Sequence, residues 1–118
     1  MQTAALLVTA LVALLHLYFL VLEMYLWDKP YGMRVFGNTP EKAAATKVLA
    51  INQGLYNGFL AAGLIWGIWL GDAGVAIRLF FLGCVILAGI LGAITASRKI
   101  LWVQAAPAAL ALALTLAS

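Results

Sequence analysis

Two ionisable side chains lie inside the first apolar stretch of the chain, where their types and spacing could support chemistry. His16 and Glu23 are seven residues apart, so on an α-helix they point within about 20° of each other. At about 1.5 Å of rise per residue, Glu23 lies about 10 Å from His16 along the helix. An imidazole and a carboxyl on one face could bind a polar solute, pass a proton or act as acid and base, provided that a water or a ligand bridges them.

A second polar group follows in the next apolar stretch. Three amides and a phenol fall within the six residues 52–57, and such groups at membrane depth need hydrogen-bond partners. We therefore expect this segment to lie beside His16 and Glu23, with Lys47 as a candidate ion-pair partner of Glu23. The candidate pocket residues are His16, Glu23, Asn52, Gln53, Tyr56 and Asn57.

Two interpretations of this polar group stay open. The side chains either line a pocket or proton path, or they only hold two helices together. The chain has one histidine and one cysteine, which is too few ligands for a typical protein metal site, so we expect no metal and no cofactor. No P-loop, CxxC, HExxH or Ser-His-Asp pattern occurs, which favours a protein that is not an enzyme.

The composition indicates the solvent in which these residues lie. The sequence is 66% hydrophobic and 9% charged, whereas soluble domains are about a quarter charged. A chain of 118 residues buries too little of its surface to hide that much apolar area from water. The composition therefore predicts a membrane protein whose main partner is the lipid bilayer. The net charge of +3 comes from scattered basic residues, which excludes a basic face for nucleic acid.

Four apolar segments are long enough to cross a bilayer, which requires about 20 helical residues. The sequence predicts an all-α, four-transmembrane-helix bundle that forms a single domain over residues 1–118. Thr39, Pro40 and Glu41 are typical of a helix start, and residues 28–38 contain turn formers and charges. The glycines of residues 71–74 predict a tight turn, and Pro107 is expected to kink the last helix. The predicted helices cover residues 3–27, 40–70, 75–97 and 100–117.

The basic residues predict the orientation. Six of the seven lie in or beside loops 28–39 and 98–99, and only Arg78 lies near the other loop. Because cytoplasmic loops carry the excess of Lys and Arg, both loops should be cytoplasmic and both termini outside, in a bacterial inner membrane. Arg78 should extend towards the outer interface, near Asp72.

Small residues mark two faces for close helix packing. Gly54 and Gly58 form one small-xxx-small step, and Gly89 and Ala93 form another. Such steps allow close approach of membrane helices. We expect both to serve helix packing, and the second face or the Ala-rich last helix is also a candidate surface for a homo-oligomer.

Three strings carry a resemblance to a known family. They are the segment from His16 to Met24, the loop from Val35 to Pro40, and the segment from Asn52 to Gly58. In these strings the sequence resembles the small bacterial four-helix membrane proteins called domain of unknown function thirteen-hundred-and-four, and the resemblance covers nearly the whole chain. It implies a compact four-helix membrane bundle and brings no established activity.

The leading functional hypothesis is a membrane protein whose polar pocket between the first two helices binds or passes a small solute or proton. One alternative is a membrane enzyme that acts on a lipid or isoprenoid-like substrate, with His16 or Glu23 as acid or base. Another alternative is a small homodimeric exporter. The identity of the small-molecule or lipid ligand stays open in all three.

Overall fold

The computed structural model describes residues 1–118, and its regular elements are helices. The predicted all-α class is therefore confirmed. The five α-helices are α1 (Gln2–Met24), α2 (Pro30–Phe36), α3 (Pro40–Trp69), α4 (Val75–Thr95) and α5 (Ala106–Ala117). A 3₁₀ turn, Gly71–Gly74, follows α3, and a π-helical turn, Leu101–Ala105, precedes α5.

Three segments are long and apolar enough to cross a membrane, judged by length and composition. They are Gln2–Met24, Pro40–Trp69 and Gly71–Thr95. Leu101–Ala117 is a shorter apolar helix. The structure thus agrees with a helical membrane protein, and the fourth span stays a prediction.

The segment predicted as a loop, residues 28–38, contains the extra helix α2. Pro30 stands in its first turn, where the missing N–H costs nothing, and Gly37 ends it in the left-handed conformation with φ 67°. Gly32 lies in its interior, and a side chain there would overlap the backbone oxygen of Leu26. The turn formers of this segment therefore start, pack and end a short helix. Helix α1 ends at Met24, three residues before the predicted end at Trp27.

The predicted tight turn at residues 71–74 is the 3₁₀ turn between α3 and α4. Gly71 has φ 61°, and a side chain on Gly74 would overlap the backbone of Gly67. Arg78 extends towards this turn and lines one cavity with Asp72, as expected, but its side chain is buried. Its Nη1 donates hydrogen bonds to the carbonyl oxygens of Gly67 (2.7 Å) and Gly71 (2.8 Å), which lie in the last turn of α3 and in the turn that follows it. Asp72 accepts a hydrogen bond from Gln2 instead.

The chain forms two compact units, which we call the hairpin unit (Leu15–Phe59) and the core unit (Met1–Leu14 with Leu60–Ser118). Small residues set the packing of α4 on the last segment of the core unit. A Cβ atom on Gly89 would lie 2.7 Å from the backbone nitrogen of Ala105. The apolar core of this unit consists of Val12, Ala13, Leu64, Leu82, Val85, Ala108 and Ala111.

The expected break near Pro107 takes the form of the π-helical turn. Pro107 lies in the first turn of α5, where it has no N–H to donate and its ring crowds the carbonyl one turn earlier. The N–H of Ala106 bonds to the carbonyl oxygen of Leu101, five residues back. The wider turn accommodates the proline and lets the helix continue.

Candidate functional site

The central contact of the hairpin unit joins Glu23 on α1 to Asn57 on α3. The Asn57 side-chain amide donates a hydrogen bond to Glu23 Oε1, and both side chains are half-buried. A carboxyl in an apolar helix needs such a donor because hydrocarbon offers none. Two of the six residues predicted for the pocket are therefore brought together directly.

Two glycines on α3 let α1 approach this contact. A Cβ atom on Gly54 would lie 2.5 Å from Met24 Cγ and 3.2 Å from Glu23 Cβ, and one on Gly58 would lie 2.8 Å from Leu20 Cδ1. Real side chains do not pack that closely. The small-xxx-small step predicted from the sequence thus lies beside Glu23, and a larger residue at Gly54 would push α1 away from Asn57.

The other polar residues of α3 do not join this contact. Asn52 donates its side-chain amide to the Val48 carbonyl of its own helix at 2.8 Å. Gln53 and Tyr56 are exposed, and the Tyr56 ring lies 6.2 Å from that of Phe59. Of the predicted pocket residues on α3, Asn57 is therefore the one that contacts Glu23.

His16 lies two turns along α1 from Glu23 and is fully buried. Its ring packs edge-to-face on Phe19, with 5.2 Å between the ring centroids. An edge-to-face pair is a stable aromatic arrangement, so the imidazole is held in a fixed orientation. His16 and Glu23 share a helix as predicted, but they contact different neighbours.

The predicted ion pair between Glu23 and Lys47 does not form. Lys47 Nζ instead binds Asp28 Oδ2 at 3.0 Å. The reason is the register between α1 and α3: Asn57 is opposite Glu23, and Lys47 is ten residues, or about 15 Å, nearer the start of α3. The linker contains α2, so α3 begins well before the level of Glu23, and its early turns face residues 27–28.

A polar collar surrounds the Asp28–Lys47 pair at this end of the hairpin unit. The Trp27 indole N–H donates to Thr46 Oγ1 (3.1 Å), and the Thr46 hydroxyl donates to the Lys42 carbonyl (2.8 Å). The hydrogen bond from the Lys47 ammonium lowers the pKa of Asp28 below its ordinary value. Lys47 therefore favours the charged form of this carboxylate, and the collar joins the segment that follows α1 to α3.

A tyrosine pair joins α1 to α2. The hydroxyls of Tyr18 and Tyr31 lie 2.5 Å apart, and the Arg34 guanidinium stands 5.9 Å from the centre of the Tyr31 ring. A cation at that distance from an aromatic face is weakly attracted to it. These three residues were not predicted, because α2 itself was interpreted as a loop.

The Glu23–Asn57 contact is chemically a carboxyl with one amide donor. Asn57 uses one of its two amide N–H groups on Glu23, so the other N–H remains a donor, and the amide oxygen and the second carboxyl oxygen remain acceptors. Such a pair can accept a proton or a ligand that donates hydrogen bonds.

The collar and the tyrosine pair lay outside the predicted site. The signal that could have revealed the collar is the opposite charge of Asp28 and Lys47 on the two sides of one linker.

The helices fit a small helical membrane protein, and comparison with known sequences assigns the family. Residues 10–116 match the family described as protein of unknown function (DUF1304). The chain belongs to this family, and its predicted membership of a family without an established function is confirmed.

One relative shows how far the similarity extends. The uncharacterised protein YpaA of Lactococcus lactis subsp. lactis (strain IL1403) is 32% identical over 114 residues, which cover 95% of this chain and 96% of the relative. No solved structure matches the chain. The similarity therefore spans the whole relative without assigning an activity.

Proposed function

We propose that this chain is a four-span membrane protein whose Glu23–Asn57 site binds or passes a proton or a small polar solute. The observation that carries the proposal is the half-buried Glu23 carboxyl, inside an apolar spanning helix, with the Asn57 amide bound to it. Ionisable groups at membrane depth are costly and commonly mark ion or proton pathways. The free acceptors of the pair favour ligands that donate hydrogen bonds, such as protons and small ammonium ions.

Proton uptake in reconstituted vesicles tests this role. Glu23→Gln keeps the shape of the side chain and an acceptor for Asn57 but cannot titrate. We expect wild-type vesicles to carry protons or methylammonium after an external pH jump, and Glu23→Gln to lose most of this flux. Glu41→Gln removes an exposed carboxyl at the start of α3 and is the matched control.

Infrared titration separates a functional site from a purely structural contact. The protonated carboxyl of Glu23 should give a C=O band that changes with pH in the wild type and in Glu41→Gln, and that is missing in Glu23→Gln. If Glu23→Gln lowers thermal stability but leaves flux and the pH-dependent band unchanged, the residue only holds α1 to α3, and the proposal is wrong.

The proposed orientation has four spans, with both termini outside the bacterial inner membrane and loops 28–39 and 98–99 in the cytoplasm. Three helices have the required length. Leu101–Ala117 extends about 25 Å at 1.5 Å per residue, slightly less than a hydrocarbon core of about 30 Å, which local thinning accommodates. The six basic residues in and beside the two loops supply the orientation signal.

Labelling of single cysteines tests this orientation in a Cys84→Ala background. A membrane-impermeant maleimide added to spheroplasts should label Ala73→Cys and Ser118→Cys. It should label Val35→Cys and Ser97→Cys only after permeabilisation, and all four positions are exposed. Labelling of Ser118→Cys only after permeabilisation would place three spans in the membrane and contradict the four-span proposal.

A further inference from the structure

A groove in the core unit lies beside the turn that joins α4 to the last segment. Its volume is about 630 Å³, and it is lined by Ile90, Ala93, Ile94, Arg98, Leu101 and Trp102. Ile90, Ala93 and Ile94 form a helical stripe on the last turns of α4. Leu101 and Trp102 come from the π-helical turn. The residues before the turn therefore form one wall of the groove, and the residues after the turn form the other. Ligand pockets commonly have a volume in this range.

The groove is apolar along its length and positive at one end. Ile94 and Trp102 are 77% and 71% exposed, which is unfavourable in water and ordinary against acyl chains. Arg98 is exposed at the turn itself. An apolar groove that ends at a guanidinium matches an amphipathic ligand with a hydrocarbon chain and a negative headgroup.

Trp102 and the π-helical turn fix the depth of such a ligand. Tryptophan is enriched at the level of lipid headgroups, and Trp102 lies four residues from Arg98 along the chain. Leu101 and Trp102 belong to the π-helical turn imposed ahead of Pro107. Turns of this kind are frequent at functional sites. The Trp102 ring and the Arg98 guanidinium therefore define the level at which a headgroup would lie.

We propose that this groove is a binding site for one anionic phospholipid, with an acyl chain along Ile90, Ala93 and Ile94 and the phosphate on Arg98. Basic pockets at the cytoplasmic ends of membrane helices recognise acidic headgroups in this way. The site needs insertion of the chain in a membrane and is independent of the Glu23–Asn57 site, so either assignment can fail without the other.

The charge contribution is tested with two neighbouring residues. Lys99 has the same charge, lies in the same turn and does not line the groove. We expect native mass spectrometry of the protein with added phosphatidylglycerol to show one retained lipid, with phosphatidylcholine retained less. Arg98→Gln should lower phosphatidylglycerol retention about fivefold relative to Lys99→Gln. Equal losses in the two variants would show only general attraction to a negative surface and would overturn the proposal.

The apolar contribution is tested by filling the groove. Ala93→Leu places a larger side chain in it, whereas Ala88→Leu adds the same group to an exposed position of α4 outside the groove. We expect Ala93→Leu, and not Ala88→Leu, to reduce retention of phosphatidylglycerol.

Contact with Trp102 gives a readout that does not depend on stability. Brominated phosphatidylglycerol in phosphatidylcholine vesicles should quench more of the wild-type fluorescence than brominated phosphatidylcholine does. Trp102→Phe should remove this difference, and Trp69→Phe, which alters an exposed tryptophan outside the groove, should preserve it. Equal quenching by the two lipids in the wild type would overturn the proposal.

Discussion

Asn57 on α3 donates its side-chain amide to the carboxyl of Glu23 on α1, and both residues lie within the hairpin unit. The Asp28–Lys47 pair and the Trp27–Thr46 bond lie one to three turns away and agree with the same register of the two helices. The polar residues of α1 and α3 are therefore divided into a contact at Glu23 and a collar at residue 28. Each contact supports a separate prediction.

Removal of the Asn57 amide should destabilise the protein. Asn57→Leu leaves the Glu23 carboxyl without its donor, and we expect the free energy of unfolding to fall by about 1–3 kcal/mol, the usual cost of an unsatisfied buried polar group. Asn52→Leu is the matched control, since Asn52 bonds only to its own helix. Denaturant titration in a maltoside micelle measures both. Equal losses in the two variants would show that the Asn57–Glu23 hydrogen bond stabilises the protein no more than the bond of Asn52 within its own helix does.

A double-mutant cycle isolates the bond itself. Glu23→Leu and Asn57→Leu should be non-additive by about 0.5–3 kcal/mol, as expected for residues in direct contact. Additive losses of unfolding free energy would show that the two side chains do not interact.

The glycines of α3 and α4 should differ in their tolerance of alanine. A Cβ on Gly54 would lie 3.2 Å from the Leu20 carbonyl oxygen, which cannot move away, whereas one on Gly58 meets only the end of the Leu20 side chain. A Cβ on Gly83 has open space around it. We expect Gly54→Ala to lower the free energy of unfolding by about 1–3 kcal/mol. Gly83→Ala should raise it by about 0.5–1 kcal/mol through helix propensity.

Thermal unfolding ranks the three glycine variants. The expected order of stability is Gly83→Ala, then Gly58→Ala, then Gly54→Ala. A Gly54→Ala variant as stable as Gly83→Ala would mean that α1 does not approach α3 at this position.

The Asp28–Lys47 pair should make stability depend on acid pH. The Lys47 ammonium lowers the pKa of Asp28 below its ordinary value of 3.8. A lowered pKa in the folded state means that the stabilisation is complete above the pKa of the unfolded chain and is lost as the pH falls through the folded pKa. The wild type should therefore lose stability on acidification in a way that Lys47→Met does not.

Melting temperatures across an acid pH series measure this effect. The difference between wild type and Lys47→Met should shrink as Asp28 becomes protonated. Lys42→Met, in which the carbonyl bonded by Thr46 is retained, should follow the wild type. A constant difference at all pH values would mean that Lys47 stabilises the fold through packing alone.

The sequence alone predicted the helical class and the apolar segments, because both follow from local composition and length. It also placed the turn at Gly71–Gly74, since glycine pairs punctuate the chain. Glu23 and Asn57 were both among the candidate residues, but their pairing depends on helix register. No local pattern specifies that register: α2, which is built from Pro30, Gly32 and Gly37, sets where α3 begins relative to α1.

The role of Arg78 escaped prediction for a different reason. Its acceptors are the backbone carbonyls of Gly67 and Gly71, and backbone groups leave no mark in the sequence. The acidic residue nearest to Arg78 in the sequence is Asp72, which the structure joins to Gln2. Local sequence therefore predicted the cation and the turn but not the hydrogen bonds between them.

Arg78 should be the basic residue whose loss costs the most stability. Arg78→Met removes the hydrogen bonds to the carbonyls of Gly67 and Gly71, and we expect the free energy of unfolding to fall by about 2–4 kcal/mol, since hydrogen bonds to charged groups are stronger than neutral ones. Arg78→Lys keeps the charge, but its Nζ lies one bond nearer the backbone than Nη1 does, so it should restore only part of the loss. Arg98→Gln, at an exposed position, should unfold like the wild type in the same micelle. If Arg78→Lys restores the full stability, a positive charge near the end of α3 is sufficient and the longer reach of the guanidinium is not required.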